Sequence, residues 1–87
     1  MEELALLDRA RRAVATGDFR TALQAIEKHA RTFPKGQLVE EREALRVRAL
    51  AGAGLSKKAD QAARDFESSY PKSVLVPELQ DDDRTAP

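Results

Sequence analysis

The sequence contains no cysteine and no tryptophan, and its aromatic residues are three phenylalanines and one tyrosine. Without cysteine there is neither a disulfide framework nor thiol chemistry. With aromatics at 5% of 87 residues, a core must be built mainly from alanine, leucine, valine and isoleucine. Because alanine is the strongest helix former and its small side chain lets helices approach closely, this composition favours an all-α fold.

A charge excess and long apolar runs are also missing. Fifteen basic and fifteen acidic residues leave a net charge of zero, whereas nucleic-acid-binding domains usually carry a basic excess. No apolar run approaches the roughly 18 residues that span a bilayer, and the N-terminal segment Met-Glu-Glu-Leu lacks the pattern of a signal peptide. We therefore expect a small domain without membrane insertion or nucleic-acid binding, either cytoplasmic or a soluble piece of a longer chain.

An internal repeat with a period of 37 residues organises the chain. Gly17 falls on Gly54, and Phe33-Pro34-Lys35 falls on Tyr70-Pro71-Lys72. Further matches at the same offset are Ala22 with Ala59, Ala25 with Ala62, Leu38-Val39 with Leu75-Val76, Arg9 with Arg46, and Arg11 with Arg48. So many matches at one offset indicate two copies of one unit.

Each copy shows the three-and-four spacing of apolar residues that is typical of amphipathic helices. The expected helices cover residues 2–16, 19–32, 38–53 and 56–69. The residues expected to face inward are Leu4, Leu6, Leu7, Ala10, Ala13 and Val14; Phe19, Ala22, Leu23, Ala25, Ile26 and Ala30; Leu38, Ala44, Leu45, Val47, Leu50 and Ala51; and Ala59, Ala62, Ala63 and Phe66. The connections are only a few residues long, so sequential helices should be antiparallel neighbours.

The residues between the helices predict how each helix begins and ends. Gly17 is expected at positive φ after the first helix, and Asp18 and Ser56 are expected to cap the second and fourth helices. Pro34 and Pro71 cannot continue a helix and should end the second and fourth.

The domain is predicted to span residues 1–80, with repeat units at about 2–35 and 38–72. The start of a third unit at 73–80 would form a short C-terminal capping turn or helix, and residues 81–87 are expected to be a disordered acidic tail. Because about three repeats are usually needed for stability, we expect the exposed end to be covered by a dimer partner, a bound protein or neighbouring domains.

The segment from Gly17 to Leu23, followed by Pro34, resembles the centre of a tetratricopeptide repeat. That motif has a glycine and an aromatic residue at the turn, here Gly17 and Phe19, and a small residue three after the aromatic, here Ala22. The second copy departs from it, because Leu55-Ser56 replaces the Asp-aromatic pair, and 37 residues exceed the usual repeat of about 34. The resemblance covers roughly residues 4 to 79.

The two units end in Phe33-Pro34-Lys35-Gly36 and Tyr70-Pro71-Lys72-Ser73. These endings resemble those of a bacterial envelope-associated subgroup of that family. This subgroup includes outer-membrane assembly lipoproteins and the periplasmic partners of the Tol–Pal system. The resemblance implies a periplasmic or envelope location and a scaffold that binds peptides or proteins on the concave face lined by the first helix of each pair.

The resemblance places Arg11 and Arg48 close to family positions that touch ligand. Because the arginine fork suits carboxylates, one hypothesis is that both residues grip an acidic partner. Alternatively, they are solvated and paired with acids, in the way that Glu41 would pair with Arg48 and Asp8 with Arg12. The complete set of predicted partner-binding residues is Arg11, Arg48, Leu7 and Ala44 on the helices, and Leu75, Val76 and Leu79 at the exposed end of the stack.

Residue types that could do chemistry are few. His29 is the single histidine and has no cysteine or second histidine with which to share a metal, so it is expected to have a surface or packing role. The segment Gly52 to Lys57 follows a helix and lacks the spacing of a phosphate-binding loop. We expect no cofactor, no metal site and no enzymatic activity.

The sequence thus predicts a non-catalytic protein-interaction or oligomerisation module, with a protein or peptide partner or a second copy of itself. One alternative is a regulatory domain of a transcription, sigma or anti-sigma factor that uses the arginines, whose binding would weaken steeply with salt. Another is a purely structural homodimerisation domain. The acidic tail is expected to be a linker, or alternatively to reach back onto the arginines.

Overall fold

The computed structural model describes residues 2–75, which form four helices and no strand. The helices are α1 (Glu2–Thr16), α2 (Phe19–Thr32), α3 (Val39–Gly52) and α4 (Ser56–Ser69). The all-α prediction is confirmed, and only α3 departs from the expected bounds, by one residue at each end. The predicted remainder of a third unit, residues 76–80, and the predicted acidic tail, residues 81–87, lie outside the described residues.

The turn inside each hairpin has the same backbone geometry in the two copies. Gly17 has φ +81° and Gly54 has φ +82°, a conformation that costs other residues energy because of their Cβ atom. The ends of α2 and α4 also match: Phe33 has φ −128° and ψ 60°, and Tyr70 has φ −132° and ψ 63°. The sequence repeat is therefore a structural repeat.

The predicted caps have different outcomes. Asp18 caps α2 as expected, because its carboxylate accepts the backbone N–H of Thr21 at 3.2 Å. The prediction that Ser56 caps α4 is wrong, since Leu55 occupies that position without a side-chain cap. Leu55 follows Gly54 in the same way that Asp18 follows Gly17. Leu55 is therefore the N-cap residue, and Ser56 is the first residue of α4.

The helices form an open stack of two hairpins. α1 packs on α2, α3 packs on α4, α2 packs on α3, and α1 also contacts α3, whereas α4 contacts neither α1 nor α2. A closed four-helix bundle would bring its first and last helices together. In this chain α2 and α3 instead form the junction between the hairpins, and α1 and α3 lie side by side on one face.

The core is built from small and aliphatic side chains, as the composition predicts. Leu7, Ala10, Ala22, Ile26 and Ala49 are completely inaccessible to solvent. The other buried apolar residues are Leu6, Ala13, Ala25, Ala44, Leu45, Val47, Ala59 and Phe66. Two residues predicted to face inward do not: Leu4 is 47% exposed and Ala51 is exposed. Both lie on the side of their helix away from the core, since Glu3 beside Leu4 and Ala49 near Ala51 are buried.

The outer faces of the stack are polar where the inner faces are apolar. Leu45 and Ala49 are buried on α3, whereas Asp8 and Arg12, their repeat equivalents on α1, form an ion pair of 3.1 Å at the surface. On α4 the equivalents of Leu23 and Ala30 are Asp60 and Glu67, which are exposed. In this respect these faces resemble the polar outer faces that capping repeats of helical stacks carry.

Candidate functional site

The face formed by α1 and α3 carries the first predicted binding residue, Arg11. Its Nε donates to Glu41 Oε2 of α3 at 2.5 Å, and its Nη1 donates to Asp8 Oδ1 at 3.2 Å. The pKa of the Arg11 guanidinium is raised, chiefly by the hydrogen bond to Glu41. Arg11 therefore ties α1 to α3, and its side chain remains 37% exposed.

Arg48 is the repeat equivalent of Arg11 and is exposed on α3. Asp8 pairs with Arg12 as predicted. Glu41, the predicted partner of Arg48, accepts a hydrogen bond from Arg11. The predicted binding surface thus contains arginines and carboxylates that contact each other. We name the surface residues Asp8, Arg11, Glu41 and Arg48 the α1/α3 face.

The remaining predicted binding residues are placed differently. Leu7 is 0% exposed and Ala44 is 6% exposed, so both belong to the core and present no surface to a partner. Leu75 is half-buried just after α4. Val76 and Leu79 lie outside the described residues.

A second group of polar side chains lies in the junction between the hairpins and was not predicted as a group. Glu3 of α1, His29 of α2 and Arg42 of α3 are all buried, with exposed fractions of 7%, 0% and 8%. His29 Nε2 lies 3.1 Å from Glu3 Oε2, and Arg42 Nη1 lies 3.4 Å from His29 Nδ1. We name these three residues the junction triad, because they connect three helices.

Glu3 also fixes the start of α3. Its Oε2 accepts the backbone N–H of Leu38, the residue that precedes α3, at 3.0 Å. The pKa of Glu3 is lowered, first by this backbone hydrogen bond and further by those of Gln37 and His29, against the opposing effect of burial. A Cβ placed on Gly36 would lie 2.1 Å from Glu3 Oε2, so the carboxylate occupies space that only glycine leaves open.

The contacts of His29 favour one tautomer of its neutral ring. Arginine has only donors, so the Arg42 contact requires a lone pair on Nδ1. The proton of a neutral ring then lies on Nε2 and is donated to Glu3. The neutral Nε2–H tautomer is the form that satisfies both contacts.

Arg42 also belongs to a series of ion pairs that links α3 to α2 at the junction. Its Nε donates to Glu43 Oε2 at 2.7 Å, and Glu43 Oε1 accepts from Arg46 Nε at 3.0 Å. Arg46 also bonds to Glu27 of α2. Burial opposes ionisation of Glu43 most strongly, yet the hydrogen bonds from Arg46 and Arg42 lower its pKa. Across the described residues, no buried side-chain nitrogen or oxygen lacks a hydrogen-bond partner.

The repeat could have revealed the junction triad. At an offset of 37, His29 corresponds to Phe66, and each ring packs on the aromatic residue that ends its helix: His29 on Phe33 with centroids 5.6 Å apart, and Phe66 on Tyr70 at 5.2 Å. A histidine at a position where the other copy has a buried phenylalanine is expected to be buried as well. The expectation of a surface or packing role for His29 is thus resolved as a buried, hydrogen-bonded position.

The Glu3 contact has a counterpart in the second copy. Glu40, the equivalent of Glu3, accepts from the hydroxyl of Ser73, and Ser73 Oγ accepts the backbone N–H of Leu75 at 3.1 Å. Ser73 is the equivalent of Gly36, so its hydroxyl occupies the space that the Glu3 carboxylate fills in the first copy. In each unit, an acidic residue at the start of the first helix therefore binds the segment that follows the second helix.

Residues 2–75 contain no group of three or more histidine, aspartate or glutamate side chains placed to hold a metal ion. None of the helices in this part of the chain is both long and apolar enough to cross a bilayer.

The comparisons with known proteins find no counterpart for this arrangement. No protein-family model, no curated protein and no solved structure matches this chain.

Proposed function

We propose that the chain is a non-catalytic protein-interaction module of the tetratricopeptide type, which binds an acidic peptide segment on the α1/α3 face. The observation that supports this most directly is the side-by-side placement of α1 and α3 in an open stack. This placement presents two helices as one extended surface, which is how helical repeats offer binding sites.

The contacts of Arg11 suggest how an acidic segment would bind. Its guanidinium already holds two carboxylates, those of Asp8 and Glu41. Partly exposed ion pairs of this kind contribute about 0.2–1 kcal/mol each. A partner carboxylate can therefore take the place of Glu41 at small cost, while Arg48 offers a second exposed cation one repeat away.

The polar outer faces of α1 and α4 favour this surface over the ends of the stack. A further hairpin or a second copy stacked end to end would have to bury Asp60 and Glu67, or Asp8 and Arg12. Taking charged side chains out of water is costly even when they are paired. The proposal accordingly assigns binding to the α1/α3 face rather than to end-to-end oligomerisation.

The test compares two pools of fluorescent random peptides, one enriched in Asp and Glu and one enriched in Lys and Arg, by anisotropy at low and physiological salt. The wild type is expected to bind the acidic pool only. Arg48→Glu should weaken this binding by at least tenfold, and Glu41→Gln should strengthen it because Arg11 is released.

The matched control is Arg64→Glu on α4, which makes the same charge change at an exposed arginine away from this face. If Arg64→Glu weakens binding as much as Arg48→Glu, binding reflects net charge and not the α1/α3 face. If neither pool binds, the acidic-peptide proposal is wrong.

A further inference from the structure

The junction triad is a buried titratable group that the binding face does not use. His29 is completely buried between α1 and α3. The charged groups that contact it from the elements packed against it are Glu3 on α1 and Arg42 on α3. Within its own helix end it packs on the uncharged ring of Phe33.

The two ring nitrogens of His29 serve different helix contacts. Nε2 connects α2 to α1 through Glu3, which lies within the first hairpin, and Nδ1 connects α2 to α3 through Arg42, which lies across the junction. The first partner is an anion and the second is a cation. Adding one proton to the ring therefore affects the two contacts in opposite directions.

We propose that protonation of His29 controls the contact between the two hairpins that His29 makes with Arg42. A proton added at Nδ1 removes the lone pair that Arg42 donates to, and it places two N–H donors and two positive charges 3.4 Å apart. The same proton makes the Nε2–H···Glu3 hydrogen bond charge-assisted, which strengthens it. Acidification thus releases Arg42 from His29, while Glu3 keeps its contacts with His29 and with the backbone N–H of Leu38.

Other charges near the triad keep their state over the range in which histidines change charge, about pH 8 to pH 5. The hydrogen bonds that Glu3 accepts hold its pKa low, and the arginines beside Glu43 hold its pKa low despite burial. Arg42 stays protonated at all these pH values. This inference does not depend on the proposed binding of peptides.

The second copy supplies a natural comparison, because Phe66 occupies the equivalent position and cannot titrate. The coupling is therefore specific to the junction between α2 and α3. It should not affect the packing of α3 on α4.

The test uses NMR on the whole chain. Ring nitrogen shifts should show the Nε2–H tautomer of His29 at pH 8. Amide protection factors, which already correct for the intrinsic effect of pH on exchange, should fall about tenfold for residues 42–46 of α3 between pH 8 and pH 5. This is the change expected for the loss of one hydrogen bond to a charged group. Protection in α4 and around Ile26 of α2 should be maintained.

The control variant is His29→Gln, because glutamine can donate to Glu3 and accept from Arg42 but cannot gain a proton. Its α3 protection should not change over this pH range. An Nδ1–H tautomer at pH 8 in the wild type would overturn the proposal without any variant. So would wild-type protection that is independent of pH, or a fall of equal size in His29→Gln.

Discussion

Replacing Gly36 provides a quantitative test of the contact that joins α1 to the start of α3. A methyl group at this position would lie 2.1 Å from Oε2 and 2.7 Å from Cδ of Glu3. The carboxylate must then move away from the Leu38 N–H and from His29. Forcing an extra methyl group into packed space costs typically about 1–3 kcal/mol, so Gly36→Ala should lower the free energy of unfolding by that amount.

Gly36→Ser should be milder, because Ser73 shows how a hydroxyl is accommodated at the equivalent position. There the serine donates to Glu40 and accepts the Leu75 N–H, which inserts one hydroxyl between carboxylate and backbone. A hydrogen bond of this kind contributes roughly 0.5–1.5 kcal/mol, so the serine variant should exceed the alanine variant in stability by about 1 kcal/mol.

Urea denaturation followed by circular dichroism measures both variants, with the slope of unfolding against urea expected to stay constant. Two substitutions of Ser73, the equivalent of Gly36 in the second copy, serve as the control. Ser73→Gly should be better tolerated than Ser73→Ala, because only glycine lets Glu40 reach the Leu75 N–H directly. If Gly36→Ala is as stable as Gly36→Ser, the carboxylate does not occupy this space and the argument fails.

Three further predictions concern the turns, the core and the response to acid. Gly17→Ala and Gly54→Ala should each cost about 1–2 kcal/mol, and by equal amounts, because both turns need the same positive φ; unequal urea midpoints would contradict the structural repeat. Leu7→Ala should cost about 2–5 kcal/mol because the side chain is fully buried, whereas Leu4→Ala, at a half-exposed position, should change stability by less than about 0.5 kcal/mol. The pKa of Glu3 is lowered in the folded state, so the Glu3 carboxylate stabilises the fold at neutral pH and this stabilisation is lost as the pH falls through the folded-state pKa. The unfolding free energy of Glu3→Gln should therefore depend less on pH below about pH 5 than that of the wild type. The same pH dependence in both proteins would refute this role.

Local signals were sufficient to predict the helices and their turns. The three-and-four spacing of apolar residues predicted that helices form, and the glycines and prolines between them predicted the bounds of α1, α2 and α4. The prediction failed at Ser56, where cap preference favoured serine but the repeat register places Leu55 at the cap. In that case the repeat was a better guide than the local preference of a single residue.

The contacts between distant residues could not be predicted from local pattern. Glu3 lies 26 residues from His29, and Arg11 lies 30 residues from Glu41, so no spacing within one helix indicates either pair. Leu7 and Ala44 were included among the predicted partner-binding residues, yet the hydrophobic pattern of the sequence had already placed both in the core. Comparing the two copies position by position would have indicated the burial of His29 through Phe66.

The most direct test of the proposed function is to map binding onto the chain itself. Nitrogen-15-labelled protein would be titrated with a glutamate-rich peptide from the acidic pool, and the backbone amide and arginine side-chain signals followed by NMR. We expect saturable shifts at Arg11, Glu41 and Arg48, and none on α4. Shifts centred on α4, or no saturable shift at all, would contradict the assignment of peptide binding to the α1/α3 face.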